Sequence, residues 1–130
     1  MKISTRGRYA LRVMIDLAMN ENNGYISLKD IANRQEISMK YLEQIVSVLN
    51  KARLVDALRG NNGGYKLNRK PSEYKVGEIL RVSEGDLTPV YCIHENCSRK
   101  KKCKSYSFWE GLDKTITDYV DSKTLEDLIK

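Results

Sequence analysis

Cys92, Cys97 and Cys103 are all the cysteines of this 130-residue chain, and its one histidine, His94, stands among them. The run Arg99-Lys100-Lys101-Lys102 lies between the second and third cysteine. Cysteine ligates metals and attacks as the thiolate, and nearby cations lower the pKa at which the thiolate forms. Three thiols in a cationic loop therefore suit a thiophilic metal or an iron–sulfur cluster. The residues alone leave three readings open. One is an iron–sulfur cluster on three thiolates and a further group. A second is zinc on Cys92, Cys97, Cys103 and His94, a Cys3His set of legitimate tetrahedral type. The third is free thiols that titrate or oxidise and hold nothing. Against zinc, structural sites usually start from a tighter C-x2–4-C knuckle, and the one residue between Cys92 and His94 is cramped for joint ligation. For a cluster the fourth ligand stays open among His94, Glu95, Tyr106 and a group from a partner's first helix. A non-thiolate ligand would make the cluster easier to lose, which suits a sensor. An odd cysteine count argues against a closed disulfide framework.

Charge points to a second chemistry. Residues 1–70 carry 13 Lys and Arg against 6 Asp and Glu, whereas residues 71–130 carry 10 against 11. A basic half of this kind points to a polyanionic partner. The elements that would present it can be read from periodicity. Ala10, Val13, Met14, Leu17 and Ala18 recur at helical spacing, and Asn22-Asn23-Gly24 ends that helix. Ser27 to Asp30 has the form of a capping box and opens a helix of about two turns. After the tight connection Gln35-Glu36-Ile37, Ser38 caps a third helix whose Leu42, Ile45, Val46 and Leu49 face a core. Two capped helices joined by a short turn form a helix-turn-helix. Leu54–Leu58 and Tyr65–Leu67 then read as strands about the turn Gly60-Asn61-Asn62-Gly63-Gly64, making a wing. The expected fold is mainly α with a small β-wing, a winged helix-turn-helix over residues 1–70.

On that frame the DNA-binding residues would be Arg6, Arg8, Ser38, Lys40, Tyr41, Glu43, Gln44 and Arg59. Ser38 puts the first turns of the third helix at the major groove. Tyr41, Glu43 and Gln44 stand where side chains reach base edges, Gln44 suited to adenine and Glu43 to the cytosine amino group. Arg6, Arg8 and Lys40 suit phosphates, and Arg59 on the wing suits a narrow minor groove.

Residues 71–130 hold a linker helix around Val76–Val82, a cysteine loop over 88–105 and a long helix over about 106–121, the whole chain forming one domain. In the long helix Trp109, Leu112, Ile116 and Tyr119 follow heptad spacing, the seam of a helix that meets its own copy. Phe108, Leu112 and Val120 are available for packing on the winged module. Thr124 to Asp127 forms another capping box.

Together these residues resemble the IscR/NsrR/CymR-type family of winged-helix transcription regulators. The resemblance is carried by Lys2-Ile3-Ser4-Thr5-Arg6-Gly7-Arg8-Tyr9-Ala10, Ile37-Ser38, Tyr41-Leu42-Glu43-Gln44, Leu54-Val55, Arg59-Gly60, Gly63-Gly64-Tyr65, Val76-Gly77-Glu78-Ile79 and Thr124-Leu125. It spans nearly the whole chain. It implies a homodimer with a long dimerisation helix, bound to partly palindromic double-stranded promoter DNA as a regulator, most simply a repressor. In cluster-bearing members three cysteines lie where Cys92, Cys97 and Cys103 stand here, which implies an iron–sulfur cofactor, 2Fe–2S in preference to 4Fe–4S. Two departures stand out. The spacing C-x4-C-x5-C is one residue shorter in its first gap than is common in the family. Tyr106 stands where IscR-type members carry a histidine ligand. CymR-type members lack the three-cysteine loop, so the cysteines argue against that branch.

No apolar run approaches membrane-spanning length and no signal peptide precedes the first helix, so the expectation is a cytoplasmic protein with no membrane partner. No nucleophile–base constellation points to an enzyme. The alternatives are a small zinc- or redox-handling protein without DNA binding and a cluster-free regulator of the CymR type.

Overall fold

Ser4 starts the fold. Its Oγ accepts from the Gly7 N–H at 3.2 Å and caps α1 (Thr5–Met19). The computed structural model describes residues 2–130. Along α1 the expected stripe Ala10, Val13, Met14, Leu17 and Ala18 is buried. The helix ends at Asn20, earlier than Asn22, and a single 3-10 turn (Glu21–Asn23) leads to Gly24. Ser27 Oγ accepts from the Asp30 N–H at 3.1 Å and caps α2 (Leu28–Gln35). Only this half of the expected capping box forms. Glu36 takes a left-handed conformation, φ 55°, which turns the chain at once into α3 (Met39–Lys51). Ser38 caps α3 through the Tyr41 N–H at 3.2 Å, and Leu42, Ile45, Val46 and Leu49 go into the core.

The wing follows. Strand β1 (Val55–Leu58) pairs antiparallel with β2 (Gly64–Leu67), Val55 opposite Leu67 and Leu58 opposite Gly64. The hairpin is tied to the rest by Ile26, which exchanges two backbone hydrogen bonds of 2.8 Å with Tyr65. Gly64 sits at φ +154°, and a Cβ there would overlap the Ile26 carbonyl oxygen. Only glycine lets the wing come this close.

Beyond the wing, Tyr74 is fully buried. Its hydroxyl donates to the Leu54 carbonyl at 2.8 Å and accepts from the backbone N–H groups of Asn68 and Arg69 at 3.0 and 3.2 Å. Burial raises its phenol pKa. One side chain thus ties the entrance and exit of the wing to the segment that starts α4 (Val76–Glu84). The long helix α5 (Tyr106–Ser122) and the short α6 (Leu125–Ile129) complete the chain. Thr124 and Asp127 make the reciprocal capping box of α6. Tyr74, Ile79 and Leu125 share one core with α1, α2 and α3, so the C-terminal half has no main core of its own. A smaller cluster of Val76, Leu80 and Leu87 is covered by Leu11, Ile116 and Val120.

Helix α5 is locked to α4 by Arg81, whose guanidinium donates to both Asp121 oxygens at 2.8 and 3.1 Å. A Cβ on Gly77 would overlap Asp121, so the small residue on α4 makes room for the pair. Arg81 holds the Asp121 carboxyl below the usual carboxylate range. A depressed folded-state pKa contributes stability that is present above the unfolded value, roughly 3.9, and lost as pH falls through the folded value. Asp121→Asn is therefore expected to cost about 0.5–1 kcal/mol near pH 7, a modest value because the pair is partly exposed. The difference from wild type should vanish in strong acid. Chemical denaturation at neutral and acidic pH checks this, and an equal cost at both would rule it out.

Candidate nucleic-acid interface and cysteine loop

Five of the eight expected DNA-binding residues meet in one place. Arg6, Ser38, Lys40, Tyr41 and Gln44 line a shallow concavity of about 260 Å³ where the first turn of α1 faces the first turns of α3. Arg6, Ser38, Lys40 and Gln44 are exposed and Tyr41 is half-buried. Glu43 is exposed on α3 outside the concavity. Arg8 is exposed on α1, donating to Thr5 Oγ1 at 3.3 Å, and Arg59 is exposed just beyond β1. The α3 N-terminus adds its unpaired N–H groups and the positive end of its dipole to a surface already cationic. The surface can hold phosphate oxygens at its rim and present polar side chains at its centre.

The first turn of α1 is itself held from α4. Glu84 Oε1 accepts from the Ser4 N–H at 2.9 Å and from the Ser4 hydroxyl at 2.5 Å. Ser4, Glu84 and Arg6 share the wall of a neighbouring groove with Thr5, Tyr41 and Ser83.

Just past Glu84 comes the cysteine loop. Asp86 Oδ1 accepts from the Thr88 N–H at 2.8 Å and the Thr88 hydroxyl at 2.5 Å, and these bonds lower its pKa. Thr88 Oγ1 is also 2.8 Å from His94 Nε2. His94 is thereby turned toward a cavity of about 470 Å³ lined by Glu84, Asp86 and Glu95 among others. Cys92, Cys97 and Cys103 are free thiols, each half-buried. Cys103 Sγ lies 3.2 Å from Ser105 Oγ, and the Ser105 hydrogen bonds, with Arg99 nearby, lower its pKa. The donor chemistry thus fits a thiolate-held metal group. The arrangement does not yet gather it. Among the described residues no three His, Cys, Asp or Glu side chains stand close enough to share a metal ion. The loop holds itself by local turns such as Lys100 N–H to Cys97 O at 3.2 Å and Cys103 N–H to Arg99 O at 2.8 Å. A group bound here would have to draw the loop around itself, the usual coupling of metal binding to folding.

Along α5 the expected seam divides between two faces. Ile116 and Val120 cover the small cluster on α4. Phe108, expected to be available for core packing, is 63% exposed and stacks edge-on against Trp109 at 5.0 Å. Tyr119 is 64% exposed, while Trp109 and Leu112 are half-buried. At 100° per residue, Phe108, Leu112 and Tyr119 fall in one narrow stripe that adjoins the Ile116 and Val120 face. Phe108 and Tyr119 leave apolar surface on this stripe that the rest of the chain does not cover.

Sequence reasoning missed the contacts of Arg12 with Gln35 and Tyr9, the packing of Tyr9 on Tyr41, and the buried Asp16 that Arg34 holds at 2.8 Å. Arg12 and Tyr9 do lie off the core stripe of α1, a signal that they serve some other neighbour.

A basic concavity between α1 and a capped α3, with a glycine-tipped wing beside it, defines a winged helix-turn-helix regulator of transcription. The family comparison agrees: residues 3–130 match Rrf2, described as an iron-dependent transcriptional regulator, and the chain belongs to that family. The structure of CymR, the global cysteine regulator of B. subtilis, is similar at a TM-score of 0.84 and 42% identity, covering 99% of this chain and 96% of that one. The T. potens IscR structure is similar at a TM-score of 0.79 and 43% identity, covering 99% and 86%. The transcriptional regulator IscR of Aliivibrio salmonicida is 37% identical over 99% of this chain and 77% of its own length. Membership overturns the alternative of a protein without DNA binding. Overall similarity does not separate the CymR from the IscR branch. The family is one of regulators rather than enzymes, and among the described residues no helix is long and apolar enough to cross a membrane.

Proposed function

We propose that the chain is a cytoplasmic homodimeric repressor that binds partly palindromic promoter DNA under the control of an iron–sulfur cluster held by Cys92, Cys97 and Cys103. The observation that carries the DNA part is the convergence of Arg6, Ser38, Lys40, Tyr41 and Gln44 on one concavity. In this reading α3 enters the major groove, Tyr41, Glu43 and Gln44 meet base edges, and Arg6, Arg8 and Lys40 hold phosphates. Arg59 lies in the minor groove. The stripe Phe108, Leu112 and Tyr119 covers its copy, setting two half-sites at a fixed spacing.

These residues should fail differently. Arg6→Ala is expected to weaken all sequences alike and to reduce the slope of log K against log salt by about one if one phosphate contact is lost. Gln44→Ala should relax preference at one base pair per half-site, costing about 1–3 kcal/mol on the best site and less on others. Glu43→Ala should broaden the set of bound sites, because a carboxylate beside DNA repels phosphate unless a cytosine amino group offers a donor. Binding selection and gel-shift titration at two salt concentrations check all three. A Glu43→Ala protein with wild-type sequence preference would move the reading surface elsewhere on α3.

The three thiolates would hold the cluster, and Lys100, Lys101 and Lys102 would offset their charge. Once bound, the cluster supplies a group that oxidants or nitric oxide can attack. His94 is a poor candidate for the fourth position because its Nε2 is engaged by Thr88. The same bond weakens the zinc reading. A second reading, a cluster-free regulator of the CymR type, is favoured by the high similarity to CymR and by thiols that do not converge.

A further inference from the structure

By residue type and position Arg12, one turn along α1 from Arg8, would be counted among the phosphate contacts. Its guanidinium is committed inward. Nε donates to Gln35 Oε1 at 3.2 Å, and a terminal N–H donates to the Gln35 backbone carbonyl. The guanidinium also stands 5.0 Å from the centre of the Tyr9 ring. Gln35 in turn donates through its amide nitrogen to Asp16 Oδ2 at 3.0 Å. Asp16 is 2% exposed and is gripped by Arg34 with bonds of 2.8 and 2.9 Å. Gln35 is the last residue of α2, immediately before left-handed Glu36, so this network fixes the turn of the helix-turn-helix itself. The Tyr9 ring that Arg12 stacks on meets the Tyr41 ring at 5.6 Å, tilted by 52°. That separation lies in the favourable range for paired aromatics.

We propose that Arg12 and Gln35 are positioning residues for base reading: they hold Tyr9, and through it Tyr41, in the orientation that faces the groove, and Arg12 makes no phosphate contact. The proposal rests on Tyr41 being a base-reading residue. Its physical basis is the planar fork of arginine, which serves Gln35 twice and stacks on Tyr9 at the same time, as a lysine could not. A polar network whose members are all satisfied selects one geometry over its neighbours.

Binding selection and salt titration on four variants test this. Tyr41→Ala identifies the base pair that Tyr41 reads. Arg12→Met keeps a long stem against Tyr9 and removes the fork. It is expected to relax the same base pair by roughly fivefold or more. Its salt slope should equal that of wild type, and the Arg12→Met/Tyr41→Ala double variant should be no more relaxed than Tyr41→Ala alone. A slope reduced by about one with preference intact would make Arg12 a phosphate contact and overturn the proposal. Wild-type slope together with wild-type preference would overturn it equally. Should Arg12→Met lose its cooperative unfolding transition, Tyr9→Leu decides. That variant leaves the guanidinium network whole and removes the ring between it and Tyr41, so it must relax the same base pair, and wild-type preference would overturn the proposal. If Tyr41→Ala itself keeps wild-type preference, base reading by Tyr41 fails and the positioning role falls with it. If Tyr41→Ala is relaxed and Arg12→Met is not, only the positioning role falls.

Discussion

Phe108→Asp combined with Tyr119→Asp is expected to give a folded monomer that binds a two-half-site DNA at least about a hundredfold more weakly than wild type. Both side chains are more than half exposed, so the charges add nothing unfavourable to the chain's own core. In a paired state they would place four carboxylates in one apolar seam, where each unpaired charge is costly to bury. The loss in DNA affinity follows because the second half-site is no longer delivered at high effective concentration by the first. Sedimentation gives the oligomeric state and fluorescence anisotropy gives the affinity. A double variant that stays dimeric would move the seam to another face of α5. Ile116→Asp should behave differently: it would damage the cluster that holds α5 to α4 and lower the unfolding midpoint.

The second large effect concerns the cysteine loop. Wild-type protein reconstituted anaerobically with iron and sulfide is expected to absorb in the visible range. Alanine at any one of Cys92, Cys97 or Cys103 should abolish that absorbance without altering the far-ultraviolet circular dichroism, because none of the three thiols belongs to either core cluster. His94→Ala should leave the spectrum as it is, since the imidazole is engaged with Thr88 and Asp86 lies behind it. A spectrum lost with His94 would return it to the ligand set. Wild-type protein that stays colourless would remove the cluster and favour the CymR-type reading.

The helices were legible in the sequence because each buries a stripe whose spacing is local. Ala10 to Ala18 and Leu42 to Leu49 state their faces in fewer than a dozen residues, and Ser38 and Thr124 mark the starts. The wing was legible from its glycines, although its attachment through Ile26 was not, since a single bridged pair leaves no periodic trace. Contacts across long separations were equally hidden. Nothing near Ser4 announces that its cap is completed by a carboxylate 80 residues away. On α5 heptad spacing put Ile116 and Tyr119 in one seam but could not say which of them α4 would take, so Ile116 packs on the α4 cluster and Tyr119 is left exposed. Of the candidate interface, the exposed side chains could be placed from residue type and periodicity. The set of Arg12, Gln35 and Tyr9 could not, because it consists of polar groups satisfied by one another only after the helices have packed. In the cysteine loop the chemistry of the donors could be read and their placement could not.

The most direct measurement is a fluorescence anisotropy titration of one palindromic promoter DNA with the cluster-loaded protein and with the same protein stripped by chelator, at matched salt. The account predicts that both forms bind and that their affinities differ by at least about fivefold, the lower end of a working allosteric coupling. Identical isotherms for loaded and stripped protein would contradict it.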